Sequence, residues 1–306
     1  MVRVVFPVCS NPFVHIALEH YLLHHLPDDG RRYVLMYIND SCVVIGRNQS
    51  LFCEVNVQYL MRAGSRVCRR ITGGGAVYHD RGNICFSFIE KVSHEKIGNY
   101  SYFNQPITDV LRNAGYDLVP DARNNLLAGG MKVSGSAQFT NRKNIISHGT
   151  LLYMTDLNNL RFTLRDNKFQ VLTRAVRSVK SPVTNLSEIN RQFDDAEAMM
   201  HYMLKNLPIT DEYLLSDDVW IEIEQRASEF ESAEWIYGRS PDTTLVADKT
   251  SVELHKGMIK HVIWYGKEYT DLRGEYFTYG DLVSLANTGN ELAYALLEKF
   301  FTQSVA

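Results

Sequence analysis

The twelve residues RRITGGGAVYHD at positions 69–80 set two cations directly before three glycines in an otherwise apolar, strand-like context. Three consecutive glycines let the backbone approach a ligand with no Cβ in the way, and the turn they form can aim successive N–H groups at phosphate or carboxylate oxygens. Arg69 or Arg70 then supplies a bidentate, permanently charged donor. Taken alone the stretch also fits a plain surface turn, so its meaning depends on what flanks it.

The flanks read as strands. Residues 33–38 and 42–45 surround the turn Asn39-Asp40-Ser41, residues 67–71, 76–78 and 84–89 continue the sheet, and residues 125–128 and 131–137 form a hairpin turning at Gly129-Gly130. Residues 148–153 resemble another short strand. Helices are expected at 11–26, with Asn11 as N-cap and Pro12 in the first turn, at 54–63 stopped by Gly64, at 102–114 closed by Gly115, and at 194–207 and 217–230. Strands outnumber the helices that could cross between them, so the fold class is α+β with mixed, largely antiparallel sheets flanked by helices. A break at 238–242 separates a catalytic unit, 1–240, from a small C-terminal α+β unit, 245–306, with a hairpin about Lys256-Gly257 and one or two helices over 281–301.

With 306 residues, 45% of them hydrophobic, the chain can bury a full core. A net charge of −3 gives no general pull toward nucleic acid or a membrane, although residues 161–180 hold six Lys/Arg against the single acid Asp166. That local patch fits a solvated face or an anion-binding loop equally well, and the span is expected to end in a loop at Ser181-Pro182. Five cysteines, odd in number, without CxxC spacing and mostly in apolar strand-like runs, fit buried, reduced thiols in a cytoplasmic protein. The N-terminus breaks at prolines before a signal-type apolar stretch can form, and no apolar run approaches the ~20 residues needed to span a bilayer.

Chemistry concentrates in a few segments. Lys132 in GGMKVSGSAQ follows the hairpin turn and precedes the small residues Ser134, Gly135 and Ser136, which leave room for a ligand whose carboxylate or phosphate the ammonium can neutralise. A surface lysine fits that segment too. Arg123-Asn124-Asn125 is a polar knot just upstream, and His148-Gly149-Thr150 offers a histidine that on its own fits a hydrogen-bonded structural residue.

The ordered set IGRNQ (45–49), RRITGGGAVYHDRGN (69–83), RNN-LL (123–127), KVSGSAQ (132–138), HGTLL (148–152) and SVKSPVTNL (178–186) resembles the lipoate–protein ligase family over roughly residues 11–190, and EWIYG (234–238) extends the match. The resemblance implies a fold shared with biotin protein ligases and a two-step reaction in which lipoate and ATP give lipoyl-AMP and pyrophosphate, after which the acyl group passes to a lysine ε-amine. By position, Arg69, Arg70, Gly73, Gly74, Gly75 and Ala76 resemble the lipoate-binding loop, with Arg70 near the mixed anhydride. Lys132, with Ser134 and Gly135 beside it, matches the lysine of the family's KxSG segment and carries the implied catalytic role: it holds the carboxylate against the α-phosphate. Glu19 and His148 match further pocket positions. Ser178, Val179 and Lys180 resemble the adenylate loop, and Tyr78, Asn83, Asn124, Asn125 and Thr150 complete the implied nucleotide-binding set. ATP and Mg2+ are the implied cofactors, with no residue assigned to the metal. The implied partners are lipoyl carrier domains of 2-oxoacid dehydrogenase complexes or the glycine cleavage H protein.

Three departures qualify the resemblance. Asn125 stands where the family pattern has aspartate, so a carboxylate expected beside the lysine or metal is missing; Lys180 and Pro182 replace residues that are typically arginine; and the C-terminal unit is short. They point to the ATP-dependent step as the one most affected. Two other readings stay open: an octanoyl-carrier transferase working through a cysteine thioester, which Cys68 and Cys85 in apolar runs support poorly, and a non-catalytic lipoyl-binding protein. A biotin protein ligase is disfavoured because RRITGGG stands where its GRGRxG loop would be.

Overall fold

The computed structural model describes residues 1–302. Its central sheet has six strands in the order Ser136–Thr140, Asn144–Leu152, Asn83–Lys91, Tyr33–Ile38, Val2–Val5 and Asp211–Leu214; the first four pair antiparallel, and Val2–Val5 pairs parallel to both neighbours. Strand periodicity divides its side chains between two cores. Tyr33, Leu35, Tyr37, Cys85 and Ile89 face a core capped by helices Pro12–His25 and Asp217–Glu231. Val34, Met36, Ile38, Ile84, Phe86 and Phe88 face a second core under helices Tyr100–Asn113 and Ala196–Asn206. Both faces are covered, which is why the strand YVLMYI reads as an unbroken apolar run and not as an alternation.

Helix Pro12–His25 begins where expected: the Asn11 side chain accepts a hydrogen bond from the Phe13 N–H, and proline sits in the first turn. Eleven of its residues are buried, among them Glu19. The helix expected at 54–63 is instead two short ones, Leu51–Glu54 and Val57–Ala63, because Asn56 leaves the helical conformation to cap the second by accepting from the Tyr59 N–H. Gly64 ends it in the left-handed region at φ 62°.

Two small sheets flank the central one. Arg66–Arg69 and Val77–His79 pair with Cys42–Ile45, parallel and antiparallel respectively, and carry the glycine loop, residues 72–76, between them. Val119–Pro120, Leu126–Ala128 and Met131–Ser134 form the second. The expected hairpin arm 131–137 breaks at Gly135, so that Met131–Ser134 stays in this small sheet while Ser136–Thr140 opens the central one.

The basic span 161–180 is not simply a loop. Gln170–Thr173 within it is an edge strand of a five-stranded antiparallel sheet completed by Thr243–Ala247, Thr250–His255, Met258–Trp264 and Lys267–Tyr269. Helices Tyr279–Asn287 and Glu291–Phe300 pack on that sheet in a third core, which also takes Val43, Ile45 and Phe52 from the first half of the chain. All five cysteines are free. Among the described residues no helix is long and apolar enough to cross a membrane.

Candidate active site

A cavity of about 410 Å³ opens between the glycine loop, helix Pro12–His25, the Met131–Ser134 hairpin arm and residues 176–181. Ile16, Val44, Val77 and Ala137 give it apolar walls, and Arg70, Arg123, Lys132 and Arg177 give it four cations.

The glycine loop is held from behind by Arg70. Its Nη2 donates to the carbonyls of Gly73 (2.6 Å) and Gly75 (2.7 Å), its Nη1 to that of Val44 (3.1 Å), and its Nε to the Thr72 hydroxyl (2.9 Å). Burial pulls its pKa down to about 10, with Glu19 opposing, so the guanidinium stays charged at neutral pH. Most of its donors are thus bound to backbone, and its role is to shape the loop more than to grip a ligand. Gly74 sits at φ 91°, and a Cβ there would stand 2.9 Å from Arg70 Nη2. Across the loop, Ser178 Oγ accepts from the Ala76 N–H (2.8 Å) and donates to buried Glu54, which also accepts from the Ser178 N–H (3.1 Å). The 176–181 segment is therefore tied to the glycine loop through Ser178, which Glu54, a side chain outside the quoted motifs, holds in place.

Arg70 begins a chain of oriented bonds. The Thr72 hydroxyl meets His148 Nε2 at 2.9 Å, and His148 Nδ1 meets Glu19 Oε2 at 2.8 Å. With Thr72 accepting from Arg70, the consistent assignment has Thr72 O–H donating to Nε2 and Nδ1–H donating to the carboxylate. Glu19 Oε1 also accepts from the Tyr37 hydroxyl at 2.8 Å and from Ser87. Burial pushes the Glu19 carboxyl up, but His148 and these hydrogen bonds outweigh it and hold it below its ordinary range, ionised in the floor of the cavity. Beside it, His15 Nδ1 contacts Asn39 Oδ1 (2.6 Å), Asn39 Nδ2 contacts His79 Nδ1 (3.0 Å), and His79 lies 3.6 Å from Cys85 Sγ.

Lys132 differs from all of these. Its backbone is fixed, donating to the Pro182 carbonyl (2.9 Å) and accepting from the Thr184 N–H (3.2 Å), but its ammonium makes no hydrogen bond to any described residue. Burial lowers its pKa, Arg123 and Arg70 lower it further, and Asp121 alone acts to raise it. The ammonium lies over Gly135, where a Cβ would stand 2.8 Å from Nζ. Glycine there makes space for the lysine head.

Of the expected site residues, Glu19, Arg70, Gly74, Gly75, Ala76, Asn124, Asn125, Lys132, Gly135, His148, Thr150, Ser178 and Val179 line this one cavity. Arg69 does not. It is fully buried on the other side of the loop, donating to the carbonyls of Gly46 (3.0 Å), Gln49 (2.8 Å) and Ile236 (2.7 Å), while Trp235 Nε1 donates to its own carbonyl (2.7 Å). The second arginine of the motif thus shapes the loop, and the first braces it against EWIYG. Tyr78 is also outside: strand alternation turns Val77 and His79 to the cavity and Tyr78 into the third core, bonded to Ser41 (3.0 Å). Asn83 is covered beyond Cys85, Ser134 is buried within its sheet, Gly73 joins only through the carbonyl that Arg70 binds, and Lys180 points to solvent, paired with Asp166 at 2.8 Å. The cavity adds Tyr37, Asn39 and Cys85 from outside the quoted motifs, and His79 and Arg123 from within them, to which no site role was given. Strand parity would have found Tyr37 and Cys85; nothing local marks Asn39. The carboxylate lacking at Asn125 stands four residues earlier, at Asp121, whose Oδ2 accepts from Asn125 Nδ2 at 2.8 Å.

Residues 11–208 match the family model of the lipoyl protein ligase A/B catalytic domain. Over 289 residues the chain is 32% identical to lipoate-protein ligase LplJ of Bacillus subtilis, covering 91% of this chain and 86% of that protein. It is also 32% identical over 285 residues to lipoate–protein ligase 1 of Staphylococcus aureus, with 91% and 86% covered. The fold matches that of P. falciparum LipL1, solved in complex with lipoate, at a TM-score of 0.64 and 22% identity over 98% of this chain and 99% of that one.

Proposed function

This chain belongs to the lipoate–protein ligase family, and we propose that it works as an ATP-dependent ligase of that family, joining lipoate to the ε-amine of a lysine on a lipoyl carrier domain through lipoyl-AMP. The observation that carries this reading is the Lys132 ammonium: half-buried, without a hydrogen-bond partner among the described residues, and lining a cavity with apolar walls. A cation so placed lacks only an anion.

In this reading the acyl chain lies along Ile16, Val44, Val77 and Ala137, and the carboxylate comes to Lys132. A carboxylate oxygen attacks the α-phosphorus of ATP, the new P–O bond forms, and pyrophosphate leaves. Lys132 draws the two anions together and stabilises the charge that develops between them, with no covalent role. Ser178, Val179, Asn124 and Thr150 stand where the adenylate would be held. The carrier amine then attacks the acyl carbon, the C–N bond forms, and AMP departs. The Glu19–His148–Thr72–Arg70 chain keeps the loop in shape throughout and needs to move no proton. Among the described residues no group of three His, Cys, Asp or Glu side chains is arranged to hold a metal; Mg2+ would arrive on the triphosphate, held mainly by phosphate oxygens and water. The carriers would be those of 2-oxoacid dehydrogenase complexes or the glycine cleavage H protein, met in the cytoplasm.

Incubating a lipoyl carrier domain with the protein and lipoate, with and without ATP, tests this by intact mass. A lipoyl gain only with ATP is expected. The position of Cys85 on the cavity wall, 3.6 Å from His79, favours one second reading, acyl transfer through a thioester. Equal modification without ATP from an acyl-carrier donor, with a hydroxylamine-sensitive adduct on Cys85, would replace the first reading by that one.

A further inference from the structure

Residues 121–125 form a tight turn closed by the Asp121 carboxylate. Oδ1 accepts from the backbone N–H groups of Arg123 (2.8 Å) and Asn125 (3.0 Å), and Oδ2 accepts from the Asn125 side-chain amide (2.8 Å). Asn124 completes the turn at φ 60°. The consequence falls on Asn125. Its Nδ2 is committed to Asp121, so its Oδ1 faces the other way, 3.7 Å from the point above Gly135 that lies 2.8 Å from Lys132 Nζ. The amide oxygen and the lysine ammonium thus border the same space above Gly135.

The charges around Lys132 are unbalanced without Asp121. Arg123 and Arg70 act on the ammonium as cations and Asp121 as the opposing acid; of the other charged groups lining the cavity, Arg177 adds a further cation, and the Glu19 carboxylate is already engaged by His148, Tyr37 and Ser87. The segments beside its strand, Leu126–Ala128 and residues 182–184, carry no charge. Asp121 also lies 3.8 Å from the Arg123 guanidinium, whose Nη2 donates to Ser181 (3.0 Å) on the loop that closes the cavity. One carboxylate therefore meets the amide facing Lys132 and the arginine competing with it.

We propose that Asp121 is a positioning residue for the activation step: it fixes the Asn125 amide beside Lys132 and sets a carboxylate against the cations of the cavity wall. This rests on the ligase reading for its effect on rate, but not for its effect on Lys132 itself.

The test moves the carboxylate without removing it. Asn at 121 can still accept from the turn's backbone N–H groups and donate to a carboxylate at 125, so Asp121→Asn combined with Asn125→Asp keeps the turn and places the charge on the other partner. Two readouts are taken on Asp121→Asn, the double variant and the unaltered protein: the Lys132 titration by side-chain NMR, and lipoate-dependent ATP–pyrophosphate exchange against pH. Asp121→Asn alone should titrate Lys132 lower by about one pH unit, as loss of a nearby opposite charge requires. It should also cut exchange by about ten- to a hundredfold, as misplacement of a reacting group does, with the alkaline limb moved to lower pH. The double variant should restore both within about threefold. An unmoved Lys132 titration in Asp121→Asn overturns the proposal whether or not the protein proves to be a ligase. Loss of exchange that the double variant does not restore, with both variants folded, reduces Asp121 to a turn cap and overturns it too. Absence of exchange in the unaltered protein counts against the ligase reading alone, and the titration then decides.

Discussion

The glycine loop and the lysine hairpin face each other across one cavity and treat their polar groups in opposite ways. In the loop the groups are already engaged: Arg70 holds three carbonyls and a hydroxyl, Thr72 passes the chain to His148 and Glu19, and Ser178 closes the outer side. At the hairpin the backbone is pinned by residues 182–184, but the Lys132 ammonium is left without a partner among the described residues. A saturated network cannot give up donors without breaking its own shape, so it serves as a mould. A half-buried cation without a partner is stabilised when an anion reaches it, so it serves as the reactive side.

The hardest blow to the mould is Gly74→Val. The residue sits at φ 91°, where a β-branched side chain is strained, and its Cβ would press on Arg70 Nη2. Because Arg70 joins the loop to Thr72, His148 and Glu19, the disturbance should spread along the network. Lipoate binding by calorimetry is expected to fall by more than about a hundredfold, the cost of backbone strain plus a filled cleft. Binding within a few-fold of the original would show that the loop does not shape the pocket.

Lys132→Met strikes the other side and should leave the mould intact. The substitution keeps most of the volume and removes the charge, so ATP–pyrophosphate exchange should drop about 10²–10³-fold, the range for one preorganised electrostatic donor. Lipoate affinity and transfer from preformed lipoyl-AMP should change less, since the anhydride already exists in that half-reaction. Near-normal exchange by the folded variant would make the lysine merely structural.

How far this division is visible in sequence depends on where each contact originates. Arg69 and Arg70 are adjacent and chemically identical, yet strand alternation sends one to Ile236 and Gln49 and the other into the loop. Carbonyls 20 and 167 residues away in the chain decide between them, and no local pattern reports those. The same period-2 geometry turns Tyr78 away while admitting Val77 and His79. The Asn11 cap acts within three residues and is legible in the sequence, whereas the equally local Asn56 cap breaks a helix expected to run over 54–63. The strand Gln170–Thr173 was hidden because its partner, Thr243–Ala247, lies beyond the expected unit boundary. Lys132 is legible only through the resemblance, since a surface lysine fits its segment too; that its ammonium finds no partner depends on residues 121–125 and 182–184, which no local pattern places beside it.

Asn125→Asp sharpens the comparison at a smaller scale. From sequence, a carboxylate at 125 looks like a missing component whose return should raise exchange. In the structure the Asn125 amide donates to Asp121 at 2.8 Å, and a second carboxylate there would meet the first. Like charges at that distance share a proton or push apart, so the single substitution is now expected to lower exchange by about three- to tenfold. A rise would mean that the turn opens to accommodate both acids.

The smallest expected effect is on stability and follows from the free ammonium. Burial makes Lys132 bind its proton less tightly in the folded chain than in the unfolded one. Below its folded pKa both states are protonated, and the fold carries the cost of a partly desolvated charge. As pH rises from the folded pKa toward the ordinary lysine value the unfolded state holds more protons than the folded one, and stability increases by that linkage. Lys132→Met has no proton to lose there. Its Tm should therefore lie above that of the unaltered protein near neutral pH, by at most about 2 °C, and the gap should narrow as the buffer is made alkaline. Thermal melts of the two proteins across that range check both the sign and the trend. A variant that melts lower at neutral pH, or a gap that widens with pH, would mean that the ammonium has a partner in solution and that the two sides of the cavity are less different than their hydrogen bonds indicate.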